Sequence, residues 1–471
     1  MKTHPALPAA VHGARRQELA TLVEGSILLV GNGLLPRNLP LSNLPFRQDS
    51  NFLYLTGCDV PGAAVILVDG RCELFLDLPG PEDALWHGVA PDVESLRVAY
   101  GVDAVRDAGE LEGACARLGS FKTLAVADPN RSALAARLSG DSLGFGRDHG
   151  DEGIVAALIQ MRRIKRAEEV QEHRLAAEVT EVAHRCAMAA TRPGGHEREI
   201  AALFDGVLAA MGCVPGYDSI VTVRGEVLHN PHHGNPLADG DLLLLDGGAE
   251  RVSGYGTDVT RTWPVNGRFD PRARGAYEAV LASQTAAIDL CRAGTRYQDV
   301  HLESARVLAR WLCDEGLVTC GVEEAVETGA HALFYPHGVG HFLGLDVHDL
   351  EQFGDRVSYP AGRGRADTFG LSYLRLDMDL VPGHLVTVEP GFYVVPAILE
   401  DARMRERHKG RVDFDRAESW QGFGGIRIED DVLVTEGNPE VLTGSIPKTV
   451  DDLEALVGSG QTPGERLGIG R

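Results

Sequence analysis

Residues 241–265 restrict the fold of this chain more than any other stretch of the sequence. Four consecutive leucines run into Asp246, a glycine-rich connection follows, and residues 257–262 then alternate around Asp258. Because successive side chains of a strand point to opposite faces, this pattern predicts two strands joined as a hairpin. Such a hairpin brings Asp246 and Asp258 together, and two neighbouring carboxylates repel unless a proton or a cation lies between them. We therefore predict a divalent metal site.

Length and composition limit the classes of protein that remain. A chain of 471 residues exceeds the usual size of one hydrophobic core, which indicates about two or three domains. A net charge of −23 argues against binding to a nucleic-acid backbone. The eight cysteines show no metal-binding spacing, and we find neither a secretory signal nor an apolar run of membrane-spanning length. We expect a cytoplasmic protein with no nucleic-acid or membrane partner.

The hydrophobic pattern divides the chain into three parts. Residues 1–160 alternate helical and strand patterns, with strands expected at 26–30, 52–56, 64–68 and 73–76, which predicts an α/β domain. Residues 161–457 begin with an amphipathic helix and end in a strand-rich region, with helices expected at 165–190, 199–211, 272–291 and 297–315. Helices segregated from antiparallel strands make this second domain α+β. We expect residues 458–471 to form a flexible tail.

Four further segments carry residue types that bind metals or transfer protons. A glycine-flanked stretch, PHGVGH, ends at His341 and is followed by His348, and Glu389 stands before a proline that favours an extended conformation. Arg427 and Glu429 share one face of an alternating segment, and His229 lies in a turn-rich loop with two more histidines. Each feature alone is common, but carboxylates at strand ends beside a glycine-flanked histidine indicate one shared metal centre.

The longest motifs resemble one family. The stretches LLLLDGGAERVSGYGTDVTRTWPVNGRF, PHGVGHFLGLDVHD, TVEPGFY and GFGGIRIEDDVLVT are similar to those of the pita-bread metallopeptidases. The similarity is greatest to the proline-specific branch, Xaa-Pro aminopeptidase and prolidase. The segments PFRQDSNFLYLTG and ALWHG resemble the leading domain of the same branch, so the resemblance covers nearly the whole chain.

The resemblance implies a pita-bread catalytic domain, preceded by the α/β domain, that binds two divalent metal ions. Asp246 would bind one ion, Asp258 and Glu429 would bridge both, and His341 and Glu389 would bind the other. An oxygen-rich set with one imidazole favours Mn²⁺, with Co²⁺ or Zn²⁺ as alternatives. The resemblance also implies a homo-oligomer (a dimer or tetramer) and a peptide substrate with proline at its second position. The expected catalytic residues are His229, His337, His348, Glu389, Tyr393 and Arg427.

Two inserts leave the substrate open between an aminopeptidase and a dipeptidase. Residues 351–374 and 398–421 look more like prolidase inserts, whereas the leading domain looks more like that of aminopeptidase P. A dipeptidase needs a cation for the substrate carboxylate, and the second insert offers five arginines. They are Arg403, Arg405, Arg407, Arg411 and Arg416. A solvated charged loop is the interpretation that we favour for these five residues. We favour an Xaa-Pro aminopeptidase over a prolidase.

Two alternatives come from other classes of protein. Residues 140–144, GDSLG, match the G-x-S-x-G pattern of serine hydrolases, although the strand-turn-helix context that this pattern requires is not predicted around Ser142. A non-catalytic peptide-binding scaffold is the other alternative. The five intact candidate ligands argue against it.

Overall fold

The computed structural model of the chain describes residues 5–39, 41–80 and 82–467. The chain divides into two compact units, residues 1–163 with 350–354, and residues 164–349 with 355–471. The boundary that we predicted after residue 160 lies close to this division, and our assignment of separate domains stays a prediction. None of the helices in the described ranges is both long and apolar enough to cross a membrane.

The first unit combines seven α-helices and seven strands within its described residues. The helices are Ala9–Leu22 (α1), Ser50–Thr56 (α2), Asp83–His87 (α3), Val93–Tyr100 (α4), Leu111–Leu118 (α5), Pro129–Ser139 (α6) and Glu152–Arg163 (α7). The strands are Ile27–Val30 (β1), Pro36–Leu39 (β2), Ser42–Asn43 (β3), Ala64–Val68 (β4), Arg71–Leu76 (β5), Ala104–Asp107 (β6) and Lys122–Thr123 (β7).

Five of these strands form a mixed sheet in the order β6-β5-β4-β1-β7. The pairs β5–β6 and β1–β7 are parallel, whereas β4 pairs antiparallel with both β1 and β5. Leu28, Ile66 and Phe75 on the strands pack with Leu111 of α5 and Ala135 of α6 in one core. The predicted α/β architecture of this half is confirmed.

One of the four predicted strands in this unit is wrong. Residues 52–56 belong to helix α2, in which Asp49 accepts a hydrogen bond from the backbone N–H of Phe52 and Gly57 ends the helix in a left-handed conformation. All seven residues of α2 are buried. A helix buried on every side has no polar face, so its apolar run carries no 3.6-residue period by which to distinguish it from a strand.

The second unit contains ten α-helices and ten strands in the part that the structure describes. The helices are Ala167–Ala190 (α8), Glu197–Ala210 (α9), Pro271–Leu290 (α10), Tyr297–Asp314 (α11), Val322–Thr328 (α12), Pro396–Leu399 (α13), Ala402–Arg407 (α14), Phe414–Glu418 (α15), Val450–Leu456 (α16) and Pro463–Leu467 (α17). The strands are Val214–Pro215 (β8), Ile220–Thr222 (β9), Leu242–Asp246 (β10), Ala249–Glu250 (β11), Thr260–Pro264 (β12), Leu385–Val388 (β13), Gly391–Tyr393 (β14), Gly425–Arg427 (β15), Asp430–Leu433 (β16) and Glu440–Val441 (β17).

The strands of this unit form short antiparallel sheets. Strand β10 lies between β9 and β12, and β16 lies between β13 and β17, while β14 pairs with β15. Leu243 and Leu245 of β10 join Trp263 of β12 and Val280 of α10 in the main core. Strand β10 is buried along its whole length, so Asp246 at its end occupies a fixed position. The predicted α+β class is confirmed, while the pita-bread arrangement itself stays an implication of the family resemblance.

The predicted strand over residues 257–262 begins later than expected. Strand β12 starts at Thr260 and pairs this residue with Asp246, so Asp258 precedes the ladder. The backbone N–H of Asp258 points instead to the carboxylate of Asp431, at 3.2 and 3.3 Å from its two oxygens. Asp258 therefore lies outside the regular strand pairing.

Part of the predicted flexible tail has defined structure. Residues from 458 onward include helix α17, and the backbone N–H of Gly460 donates to the carbonyl of Ala189 at 2.8 Å. Residues 468–471 lie outside the described residues. The mobility of the tail stays a prediction.

Candidate metal centre

A cavity of about 790 Å³ in the second unit collects nearly all the predicted site residues. Nine of the ten line it: His229, Asp246, Asp258, His337, His341, His348, Glu389, Arg427 and Glu429. The tenth, Tyr393, is buried beside the cavity and contacts two of its lining residues, Arg427 and His337. Segments that are distant in the sequence therefore meet at one place, as the motifs predicted.

Asp246 and Asp258 are joined by a residue that the sequence did not identify. The hydroxyl of Tyr217 lies 2.6 Å from Oδ1 of Asp246 and 2.6 Å from Oδ1 of Asp258. Tyr217 lies just before β9, which pairs with β10 and so places the ring near the end of that strand. No motif marks this tyrosine, because its contacts arise only when β9 pairs with β10.

Asp258, His341 and Glu429 form the tightest group. One potential ligand atom from each lies within 4.8 Å of the others, and all three residues are buried. Nδ1 of His341 contacts the carbonyl of Phe342 at 2.9 Å, and Nε2 lies 3.3 Å from Oδ2 of Asp258. A histidine whose Nδ1 is held by a carbonyl presents Nε2 as a metal ligand.

Backbone contacts position Glu429 within this group and bring Glu389 to it. The backbone N–H of Glu429 donates to the carbonyl of Thr260, and the hydroxyl of Thr260 donates to Oε2 of Glu429 at 2.7 Å. Glu389 follows β13, where its backbone N–H donates to the carbonyl of Val339. Oε1 of Glu389 lies 3.8 Å from Nε2 of His341.

The electrostatics of this group favour a bound cation. Burial raises the pKa of Asp246, raises that of Glu429 well above its usual value, and raises that of Glu389 to about 7. The neighbouring carboxylates raise the pKa of Glu389 and Glu429 further. Burial also opposes ionisation of Asp258, but its contacts with His341 and Tyr217 outweigh burial and lower its pKa. Four carboxylates and one imidazole form an oxygen-rich donor set, which fits divalent cations such as Mn²⁺.

Arg427 connects the carboxylates to the neighbouring aromatic side chains. It donates from Nη2 to Oδ2 of Asp246 at 2.6 Å and from Nη1 to the hydroxyl of Tyr393 at 3.1 Å. The same hydroxyl lies 2.9 Å from Nε2 of His337. Burial lowers the pKa of His337 to about 3, so this imidazole is neutral at physiological pH.

The predicted histidines occupy different environments. His348 is exposed and stacks on His341, with ring centroids 4.0 Å apart, and His229 is an exposed residue of the cavity wall. The two histidines that accompany His229 in the sequence do not line the cavity, and Nε2 of His233 contacts the carbonyl of Ser219. Of the three histidines in this loop, His229 alone lines the cavity.

The arginines near the site come from the first insert and the segment after it, and not from the second insert. None of the five arginines of the second insert lines the cavity. Three of them form ion pairs at the surface: Arg405 with Glu418, Arg411 with Glu324, and Arg416 with Glu315. The first insert and the segment after it supply Arg365, Phe369, Tyr373 and Arg375 to the cavity instead. Acidic residues at the surface thus neutralise three of the five arginines, and the sequence alone does not reveal these partners.

The serine-hydrolase alternative lacks its required geometry. Ser142 is exposed and follows α6 rather than a strand, and irregular structure follows it. A nucleophilic serine of this type needs a strand before it and a helix after it.

The fold and the site are those of a metallopeptidase. Residues 171–436 match the family model of metallopeptidase family M24, and residues 12–124 match the aminopeptidase P N-terminal domain. The chain belongs to metallopeptidase family M24.

Relatives and solved structures give the more particular similarity. A probable Xaa-Pro aminopeptidase of Talaromyces marneffei is 32% identical over 428 residues, which cover 88% of this chain and 89% of the relative. The Xaa-Pro dipeptidase of Homo sapiens is 30% identical over 471 residues, covering 96% and 94% of the two chains. The structure of Pseudomonas aeruginosa aminopeptidase PepP has a TM-score of 0.79 and 30% identity, covering 97% of this chain and 98% of that one.

Proposed function

We propose that this protein hydrolyses the Xaa-Pro bond at the N-terminus of peptides and depends on two divalent metal ions, most suitably Mn²⁺. The observation that carries the proposal is the buried group of Asp258, His341 and Glu429, with Asp246 and Glu389 in the same cavity. Asp246 would hold one ion, His341 and Glu389 the other, and Asp258 and Glu429 both. Bound ions of this kind lower the pKa of water and polarise a scissile carbonyl.

The surrounding residues have separate tasks in this proposal. Glu389 lines the same cavity and can accept a proton and return it to the leaving amine. Neutral His337 can donate or accept a hydrogen bond without adding charge, and the exposed His229 and His348 can orient the substrate. Arg427 and Tyr393 hold Asp246 and His337 in place.

A dipeptidase is the second candidate, and one observation favours it. Arg365 and Arg375 line the same cavity as the proposed ligands, where a guanidinium could bind the free carboxylate of an Xaa-Pro dipeptide. The similarity to a dipeptidase and to aminopeptidases at comparable identity supports both candidates.

Two peptides test the choice. Hydrolysis of Ala-Pro-Ala and of Ala-Pro is compared with Mn²⁺ present, for the wild type and for Arg375→Met. The aminopeptidase proposal expects turnover of the tripeptide, whereas turnover of the dipeptide alone, lost in Arg375→Met, establishes the dipeptidase.

Asp258→Ala removes a proposed bridging ligand and should reduce either activity by orders of magnitude. Near-normal turnover in that variant would contradict the metal site itself.

We also propose a cytoplasmic homo-oligomer, a dimer or tetramer. This rests on the family resemblance, and sedimentation of the purified full chain tests the state of assembly.

A further inference from the structure

Glu226 is an acidic residue of the cavity wall that the proposed metal site does not use. Apart from the four carboxylates proposed as ligands, the acidic residues lining the cavity are Asp218 and Glu226. Asp218 is exposed, so water screens its charge. Glu226 is 8% exposed, and a carboxylate at that depth keeps most of its electrostatic effect on a ligand in the cavity.

The two oxygens of Glu226 have unequal surroundings. Oε1 accepts a hydrogen bond from Nε of Arg224, a residue whose side chain is 58% exposed. Oε2 is buried and has no hydrogen-bond partner among the described residues. A buried carboxylate oxygen without a donor is unfavourable, so a turn of the side chain that brings Oε2 to the cavity would let a positively charged donor satisfy it.

The loop that carries Glu226 is fixed at both ends. Glu197 at the start of α9 is fully buried, and its carboxylate accepts from the backbone N–H of Val223 and from the backbone and side-chain amides of Asn235. Between these anchors, Gly225 lies so close to Gly425 of β15 that a Cβ at Gly225 would come within 2.7 Å of the Gly425 carbonyl oxygen. The acid is therefore held in position before a ligand arrives, as a recognition residue requires.

We propose that Glu226 is a specificity residue that accepts the cationic side chain of a lysine or arginine at the first position of the substrate. The inference rests on the proposed peptidase function and adds the substrate class to it. Peptides that begin with a basic residue followed by proline would satisfy Oε2, whereas an apolar first residue would leave it without a donor.

A matched pair of peptides tests this directly. Lys-Pro-Ala and norleucine-Pro-Ala have first side chains of equal carbon length that differ by one ammonium group. For the wild type with Mn²⁺ we expect a higher kcat/KM for the lysine peptide. In Glu226→Gln the kcat/KM for the lysine peptide should fall roughly tenfold, as expected for loss of a charged hydrogen bond, with little change for the norleucine peptide. Asp218→Asn is the control, because it removes the exposed acid of the same wall and should leave the ratio unchanged.

Three outcomes overturn the proposal. They are no preference for lysine in the wild type, an unchanged lysine-to-norleucine ratio in Glu226→Gln, and an equal fall for both peptides, which would assign Glu226 to the α-ammonium group that both share. Calorimetry also measures the affinity of the metal-free protein for each peptide, so the two peptides are compared without turnover. A wild type that binds both peptides and cleaves neither contradicts the proposed function. The ratio of its affinities for the lysine and norleucine peptides still decides the role of Glu226.

Discussion

Nη2 of Arg427 lies 2.6 Å from Oδ2 of Asp246, and this ion pair links β15 to the end of β10 inside the cavity. The side chains are 5% and 12% exposed. A pair at that depth is costly to break, because the remaining charge is left without compensation. The cost should therefore depend on whether a metal ion also neutralises Asp246.

Arg427→Met should destabilise the metal-free protein by roughly 3 kcal/mol and the metal-loaded protein by less. The kcat/KM should fall at least about tenfold, because Asp246 loses the donor that orients it. Urea unfolding with and without Mn²⁺ measures the first effect. Arg274→Met is the control, since Arg274 pairs with Glu278 at the surface and such a pair contributes about 1 kcal/mol or less. Equal destabilisation of both forms by Arg427→Met would show that Asp246 does not bind the metal.

Tyr217→Phe should weaken Mn²⁺ binding by roughly tenfold while the protein stays folded. The hydroxyl contacts Asp246 and Asp258 together, and loss of hydrogen bonds to charged groups costs about 1.5–3 kcal/mol. Calorimetric titration with Mn²⁺ checks this, with Tyr373→Phe as a control because Tyr373 is a half-exposed residue of the same cavity. Unchanged affinity would mean that the carboxylates keep their positions without the tyrosine.

Removal of metal by a chelator should lower the melting temperature. Ions that bind the folded site and not the unfolded chain add to stability by mass action, and they also relieve the repulsion among the buried carboxylates. Differential scanning calorimetry before and after chelation measures the loss, and re-addition of Mn²⁺ should restore it. In Asp258→Asn the loss should be much smaller, and a loss equal to that of the wild type would place the stabilising ion elsewhere.

His12 should make the protein less stable in mild acid. Burial lowers its pKa to about 4, and its Nδ1 contacts the carbonyl of Tyr54 in a region that also holds Arg15 and Arg16. Above about pH 7.5 the imidazole is neutral in both folded and unfolded chains and contributes no pH dependence. As the pH falls from there toward 4, the unfolded chain binds the proton first, so stability is lost, by up to roughly 3 kcal/mol.

His12→Gln tests this through a difference in slope. Urea unfolding of the wild type should weaken between about pH 7.5 and about pH 5, and the variant should weaken less over the same range. The other buried histidines are present in both proteins and cancel in the comparison. Parallel pH dependence of the two proteins would show that His12 is not buried as a neutral ring.

Much of the site could be predicted from the sequence, because each proposed ligand lies beside residues that mark a strand end or a turn. Asp246 ends a run of leucines, His341 follows glycines and Glu389 precedes a proline, so strand ends and turns mark each of them. The class of fold followed from the same periodicities. Tyr217 and Arg375 carry no such signal, since they reach the cavity only through tertiary contacts.

The errors have the same origin. Helix α2 was predicted as a strand because complete burial removed its polar face. The acids that pair with the arginines of the second insert are equally hidden, because the sequence shows a charge and not its partner. Asp258 lies before β12, and its backbone N–H contacts Asp431, a residue 173 positions away.

The distance along the chain between Asp246 and its partner Arg427 has a consequence for biosynthesis. The two residues are 181 positions apart, and Glu429 lies beyond both. While the chain is still being made, Asp246, Asp258 and Tyr217 can leave the ribosome well before Arg427 and Glu429 do. The nascent protein therefore carries a half-built acidic pocket for much of its synthesis, and full loading with metal must wait until strands β15 and β16 have emerged and paired.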